Sequence, residues 1–183
     1  MDVIDLNCDM GESFGAWTMG SDAEMLKIVT SANVACGFHG GDPLVMFETV
    51  SRARENRVGI GAVDRELIYV VMAGTELERA AAELGLRMAR EIYADRAYDD
   101  TGNLVSRKLP GAVLHEPEEA AARVQAMVRE GAIISTSGKR IPVAIDTVCV
   151  HGDNPAAVAM AGLVREKLEQ AGIAVRPMAK TIR

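Results

Sequence analysis

Aromatic side chains are scarce in this chain, at 4% of residues, with one Trp, three Tyr and three Phe. Ala, Val, Leu, Ile and Met must therefore fill any core, as suits layered α/β packing. Basic charge is also short: the formal net charge is −6, which excludes a nucleic-acid partner, because phosphate backbones are bound through a basic surface. Cysteines number three (Cys8, Cys36 and Cys149), an odd count without CxxC spacing. That excludes a disulfide framework and a structural zinc knot, and points to a reducing cytoplasm. No apolar run reaches the roughly 20 residues of a membrane span, and no basic stretch leads into an apolar one at the amino terminus, so neither a membrane segment nor a secretory signal is expected. No repeat or low-complexity linker interrupts the 183 residues, which read as one domain, 1–183, with 49% hydrophobic and 25% charged residues.

What is present is a repeated layout. Short β-branched or apolar runs end in polar clusters: Asn7-Cys8-Asp9 with Glu12, Gly37-Phe38-His39 with Asp42, Asp95-Arg96, and His151-Gly152-Asp153. Parallel α/β folds gather the C-terminal ends of their strands on one face, so these clusters are expected to line a single site. Carboxylates and imidazoles gathered in this way suit metal-assisted or general acid/base hydrolysis. The chain reads as an enzyme.

Strands are expected at residues 3–7, 33–36, 58–62, 68–73, 87–94, 146–150 and 173–176, with helices between them. Ser21 with Glu24 forms a capping-box pattern for a helix over 22–30. Asp42 caps a helix from Pro43, Gly85 stops one over 76–84, and Gly131 closes one that begins at Glu116-Pro117. Residues 133–143 suggest a hairpin around Ser137-Gly138, and Asn154-Pro155 opens the last long helix. Strand–helix alternation implies parallel pairing, whose crossovers need a dozen or more residues. One connection breaks this rule. The five residues between Ala62 and Ile68 leave either an antiparallel hairpin without turn residues or a missing segment, and the second is preferred.

The runs Asp5-Leu6-Asn7-Cys8-Asp9-Met10-Gly11-Glu12-Ser13-Phe14-Gly15 and Asn33-Val34-Ala35-Cys36-Gly37-Phe38-His39-Gly40-Gly41-Asp42-Pro43 closely resemble the LamB/YcsF family. So do Ala94-Asp95-Arg96-Ala97-Tyr98, Leu109-Pro110-Gly111-Ala112-Val113 and Asp146-Thr147-Val148-Cys149-Val150-His151-Gly152-Asp153. The match spans nearly the whole chain, in order. The resemblance implies an irregular seven-stranded β/α barrel akin to polysaccharide deacetylases. It also implies the A component of 5-oxoprolinase, opening 5-oxo-L-proline to L-glutamate with ATP as co-substrate and with two other subunits, B and C. A His-Pro-Gly-Tyr-Pro-Asp element and a Lys-Pro-His-Gly-Ala-Leu-Tyr element of that family are absent here, at the same point between Ala62 and Val63.

Asp9, His39 and His151 are the expected catalytic groups, and the same three are the ligands if a divalent ion is used. Asn7, Glu12, Arg96, Tyr98 and Arg107 are the expected substrate contacts. Each has a plainer alternative. Asp9 or Glu12 equally suits a cap on local backbone; Arg96 and Arg107 hold the substrate carboxylate bidentately or pair with loop acids; Tyr98 closes over a ligand or packs. Alternation puts Thr147, Cys149 and His151 on one strand face, and Asp153 is a candidate to fix the imidazole tautomer. His115 reads as surface, and the cysteines as small buried apolar residues. No Gly-x-x-x-x-Gly-Lys-[Ser/Thr] loop is present, which leaves nucleotide work to a partner or to another element. Two rival readings are a metal-dependent deacetylase or amidohydrolase and a non-catalytic subunit, and a homo-oligomer is compatible with any of the three.

Overall fold

Along β1 (Val3–Met10), Ile4, Leu6, Cys8 and Met10 alternate with Asp5, Asn7 and Asp9, and this two-residue period sets the architecture. In the computed structural model, which describes residues 3–35, 37, 39–60, 68–153 and 155–182, the apolar set faces the helices and joins the hydrophobic core. The polar set faces the inside of a curled sheet.

Six strands form a parallel path: β3 (Gly59–Ile60), β2 (Ser31–Val34), β1, β8 (Thr147–Val150), β5 (Met88–Tyr93) and β4 (Tyr69–Met72). A seventh strand, β9 (Ala174–Val175), pairs with the start of β1. Apart from the hairpin strands β6 (Ala132–Ile134) and β7 (Arg140–Pro142), this path is chain order read around a circle. Among the described residues the circle is open at one seam, between β3 and β4. The result is a half-barrel, as the α/β reading expected. Among the described residues β3 pairs with β2 and β4 with β5, and no hairpin joins the third and fourth strands. The point between Ala62 and Val63 lies outside the described residues.

Helices cover the outer face. They are α1 (Asp22–Met25), α2 (Pro43–Glu55), α3 (Glu76–Glu83), α4 (Pro117–Glu130) and α5 (Pro155–Gln170), followed by a 3-10 turn at Met178–Lys180. Asp42 caps α2 as expected, its carboxylate accepting from the Leu44 and Val45 amides at 2.8 and 3.0 Å. Gly131 closes α4 and Gly85 follows α3, both in the left-handed conformation. The helix expected over 22–30 shrinks to the four residues of α1, and Ser21 makes no side-chain cap. Asp22 explains part of this, since its carboxylate is committed to the Gly11 amide at 2.9 Å. Thr30 explains the rest: it is already tied into the sheet through Leu6. Asn154 lies outside the described residues.

α4 and α5 lie against one another and bury Ala121, Val124 and Met127 with Ala161, Val164 and Leu168 in the common core. Fully burying a side chain such as Leu168 stabilises by about 1.5–3 kcal/mol, and Leu168→Ala would cost about 2–5 kcal/mol. Among the described residues no helix is long and apolar enough to cross a membrane.

Candidate active site

Strand register turns the inward residues into rungs. Asp5 stands beside Thr147 and Thr147 beside Glu91. One rung above, Ser31, Asn7, Cys149 and Tyr93 align, and above them Asn33 stands beside Asp9. Asp5, Asn7, Ser31, Glu91 and Thr147 are all buried. Polar groups out of water need partners, and here every step supplies one. Thr30 and Ser31 hydroxyls and the Met178 amide donate to Asp5 Oδ1, and the Thr147 hydroxyl donates to its Oδ2 at 2.6 Å. Asn7 Nδ2 donates to Thr147 Oγ1 at 2.7 Å and to Glu91 Oε1 at 2.9 Å. Asn33 Nδ2 donates to Asn7 Oδ1 and to Asp9 Oδ1, both at 3.0 Å. An amide nitrogen has two protons, so both asparagines are fully committed and the network has one direction. Its free end is Asp9, exposed at the barrel mouth. Burial pushes the carboxyls of Asp5 and Glu91 above the usual carboxylate range despite their hydrogen bonds.

Across the mouth, at the ends of β5 and β8, His151 Nδ1 lies 2.9 Å from Asp95 Oδ2. Both side chains are about four-fifths buried. The bond to Asp95 lifts the imidazole above its ordinary value, against the opposing effect of burial, and the nearby Asp153 and Asp9 charges add to the rise. Burial also raises Asp95, but the bond and charge of His151, with help from Arg96, hold its carboxyl below the usual range. The Tyr93 ring stacks on the imidazole with centroids 6.4 Å apart, and its hydroxyl bonds Glu91. His151 Nε2 is 3.9 Å from Cys149 Sγ. Asp95 Oδ1 is buried and accepts nothing among the described residues. A cavity of about 180 Å³ beside the pair is also lined by His115 and Asp153.

The expected site is therefore partly assembled. Asp9 and His151 share the mouth, and the Asp9 charge adds to the rise of the imidazole. His39 does not join them: it is 71% exposed, and its Nε2 lies 3.2 Å from Glu12 Oε1 on a separate lip. The proposed ligand set fails with it. Among the described residues no group of three or more His, Cys, Asp or Glu is placed to hold a metal ion. Asp9, His39 and His151 do not come together as such a group.

The expected substrate contacts are largely redirected. Asn7 is wholly buried and both its amide protons are spent, so within the network it positions other groups. Tyr98 is fully buried, accepts the Tyr93 amide on its hydroxyl at 2.8 Å, and lies under the Arg123 guanidinium. Burial raises its phenol to about 12. Arg96 is buried and donates to the Val105 and Ala112 carbonyls, so it braces the loop it was expected to project from. Arg107 is exposed on that loop. Glu12 belongs to the lip with His39. Asp95, not Asp153, is the partner of the imidazole.

Cys8 and Cys149 are free and buried, as the sequence suggested, with burial pushing both thiols well up; Cys36 lies outside the described residues. Sequence reasoning missed Asp5, Asn33, Glu91 and the cavity role of His115. The signal for Asp5 was present in the alternation at positions 5, 7 and 9. That pattern also describes a strand with one wet face, and only register reveals an interior.

A model of the LamB/YcsF family matches residues 4–63 and 62–183. The A component of 5-oxoprolinase from Rhodopseudomonas palustris (strain ATCC BAA-98 / CGA009) is 40% identical over 252 aligned positions, covering 97% of this chain and 99% of the relative. That of Gluconobacter oxydans (strain 621H) is 42% identical over 249 positions, covering 96% and 98%. The crystal structure of the lactam utilization protein from Thermus thermophilus is similar with a TM-score of 0.86 at 32% identity, covering 95% of this chain and 99% of that one. Alignments of 252 and 249 positions exceed the 183 residues of this chain. Each of the two curated relatives thus carries a long stretch with no counterpart in this chain, and the family match divides at residues 62–63.

Proposed function

This chain belongs to the LamB/YcsF family, and from that premise we propose that it is the A component of a multi-subunit 5-oxoprolinase. The reaction is the ATP-dependent hydrolysis of 5-oxo-L-proline to L-glutamate, in the reducing cytoplasm that two free thiols suit. Water adds to the lactam carbonyl carbon, the ring carbon–nitrogen bond breaks, and the nitrogen leaves as an amine carrying the transferred proton. His151 moves that proton. With Nδ1–H donated to Asp95, the neutral ring presents Nε2 as the base, and the imidazolium formed is stabilised by the Asp95 carboxylate. Asp9, held by Asn33, adds a second negative charge at the mouth. ATP is assigned to the partner subunits, because this chain has no phosphate-loop pattern and is acidic.

The observation that carries this reading is the His151–Asp95 pair at the barrel mouth of a chain whose relatives are named for the activity. The test is reconstitution with the B and C subunits, following glutamate release from 5-oxoproline with and without ATP. His151→Ala should abolish turnover while leaving assembly intact; undiminished release would sink the assignment.

One observation favours a second reading. The relatives carry their extra stretch at the seam of the barrel, so a chain without it serves as a non-catalytic subunit that the other two require only for assembly. The same assay separates the readings, because a scaffold tolerates His151→Ala.

A further inference from the structure

Arg123, on α4, is a half-buried cation, and burial pulls its guanidinium below the ordinary arginine value. A charge taken out of water needs compensation. Arg123 Nε is buried and donates to nothing among the described residues. Nη2 donates to the carbonyls of Tyr93 at 3.3 Å, Ala94 at 3.1 Å and Arg96 at 2.5 Å. The Tyr98 ring lies under the group, its centroid 5.7 Å from Cζ. One nitrogen with two protons thus serves three acceptors. All belong to the turn at the end of β5, on either side of Asp95.

The carbonyl of Asp95 itself accepts the Leu114 amide at 2.8 Å. The Ala94 amide donates to the Cys149 carbonyl at 3.0 Å, tying the turn to β8 just before His151. Tyr98 adds a further hold, its hydroxyl oxygen accepting the Tyr93 amide at 2.8 Å. A peptide group is planar, so a carbonyl fixed in direction fixes the whole unit. The Ala94 carbonyl fixes the unit entering Asp95, and the Asp95 carbonyl fixes the unit leaving it. With both set, φ and ψ of Asp95 are set, and so is the direction of its Cα–Cβ bond. Only side-chain torsions then remain for the carboxylate to meet His151 Nδ1 at 2.9 Å. Ala94 is wholly buried, so without Arg123 its carbonyl would lose its partner away from water.

We propose that Arg123 is a positioning residue for the proton transfer assigned above to His151, acting through Asp95: its guanidinium holds the turn that aims the carboxylate. Arg123 does not line the cavity beside the pair, so its effect runs through the backbone. The effect on turnover rests on the role proposed for His151. The effect on the imidazole rests on geometry alone.

Arg123→Met keeps a long stem and removes every donor. The reading is the Nδ1 proton of His151 by NMR, identified by its absence in His151→Gln. Bonded to a carboxylate and sheltered, that proton should give a resolved downfield signal in the parent chain. Arg123→Met should lose the signal, its exchange with water becoming at least about tenfold faster. Arg123→Lys should recover part of it, because an ammonium brings a proton for each carbonyl. Leu168→Ala destabilises the chain from the far end of α5 and should leave the signal in place. In the reconstituted complex Arg123→Met should lower kcat about tenfold, with KM little changed. If Arg123→Met does not melt cooperatively, Tyr98→Phe reads the same turn, since it removes the oxygen that holds the Tyr93 amide and keeps the ring. Exchange should then quicken several-fold. An absent signal in the parent, or one unmoved in the variant that folds, overturns the proposal. So does an equal loss in Leu168→Ala. Loss of the signal with kcat unaltered upholds the positioning and overturns the proton role of His151 instead.

Discussion

His151 Nδ1 and Asp95 Oδ2 stand 2.9 Å apart although 56 positions separate them in the chain. Their strands are adjacent in the sheet, β5 pairing directly with β8, so one bond joins the ends of two strands and settles the proton inventory of the imidazole.

The stability this bond contributes has a defined pH window. The His151 value is raised from 6.5, so its contribution is complete below about pH 6.5 and is lost as pH rises through the folded value. The Asp95 value is lowered from 3.8, so its contribution is present above that value and is lost as pH falls through the lower folded one. Asp95→Asn should therefore cost most between the two, about 1.5–3 kcal/mol for a hydrogen bond to a charged group, and less in alkaline solution. Thermal melts across that range check it, and imidazole proton NMR should show the His151 value falling. A destabilisation that does not vary with pH would contradict the pairing.

Asn33 holds Asp9 at the mouth, with its second proton committed to Asn7. Asn33→Ala frees the carboxylate to rotate. In the reconstituted complex kcat should drop about tenfold, which corresponds to about 1.4 kcal/mol of transition-state stabilisation, with KM little changed. Asn33→Ser, short but still a donor, should recover part of the loss. An unaltered kcat would remove Asp9 from the mechanism.

Glu91 is held above its ordinary 4.5 chiefly by burial, so the folded state favours the protonated form. Its contribution to stability is complete below about pH 4.5 and is lost as pH rises through the folded value. Glu91→Gln is neutral at every pH and keeps an acceptor for Asn7. The variant should melt higher than the parent at neutral pH, and the gap should close on acidification below 4.5. A variant that melts lower at neutral pH would show that the carboxylate is wanted ionised.

Gly41 lies at φ +82°, and a Cβ there would meet the Gly11 carbonyl oxygen at 2.5 Å. Gly41→Ala combines left-handed strain of about 1–2 kcal/mol with a backbone collision that no side-chain rotation relieves. Denaturant unfolding should show a loss of at least about 2 kcal/mol, and the lip carrying Glu12 and His39 should shift. A loss below about 0.5 kcal/mol, the range of ordinary surface changes, would refute the close approach.

Much of the fold was legible. Strands 68–73, 87–94 and 146–150, the Asp42 cap, the Gly131 stop and the hairpin at Ser137-Gly138 rest on local chemistry, and the structure has them within a residue or two. The helix after Ser21 was not legible, because Asp22 takes a long-range partner, Gly11, that no local pattern reveals. Where the candidate residues lie was legible in part. Strand ends placed Asp9 and His151 at the mouth, but a His in a glycine-rich loop looks the same whether it faces the mouth or the lip, and His39 faces the lip. Arg96 and Tyr98 failed for a related reason: a polar residue beside a strand end can turn inward to hold its own loop.

By itself the order of residues determined the strand–helix alternation, the apolar face of each element and the family, since these follow from spacing along the chain and from runs of identity. Tertiary structure alone decided which polar residues became an interior. Asp5, Asn7, Glu91 and Thr147 are ordinary strand residues until parallel register sets them side by side, and burial then obliges each to satisfy the next. It also decided that the circle of strands opens between β3 and β4, because a seam is a property of how strands close on one another and of nothing local to any of them.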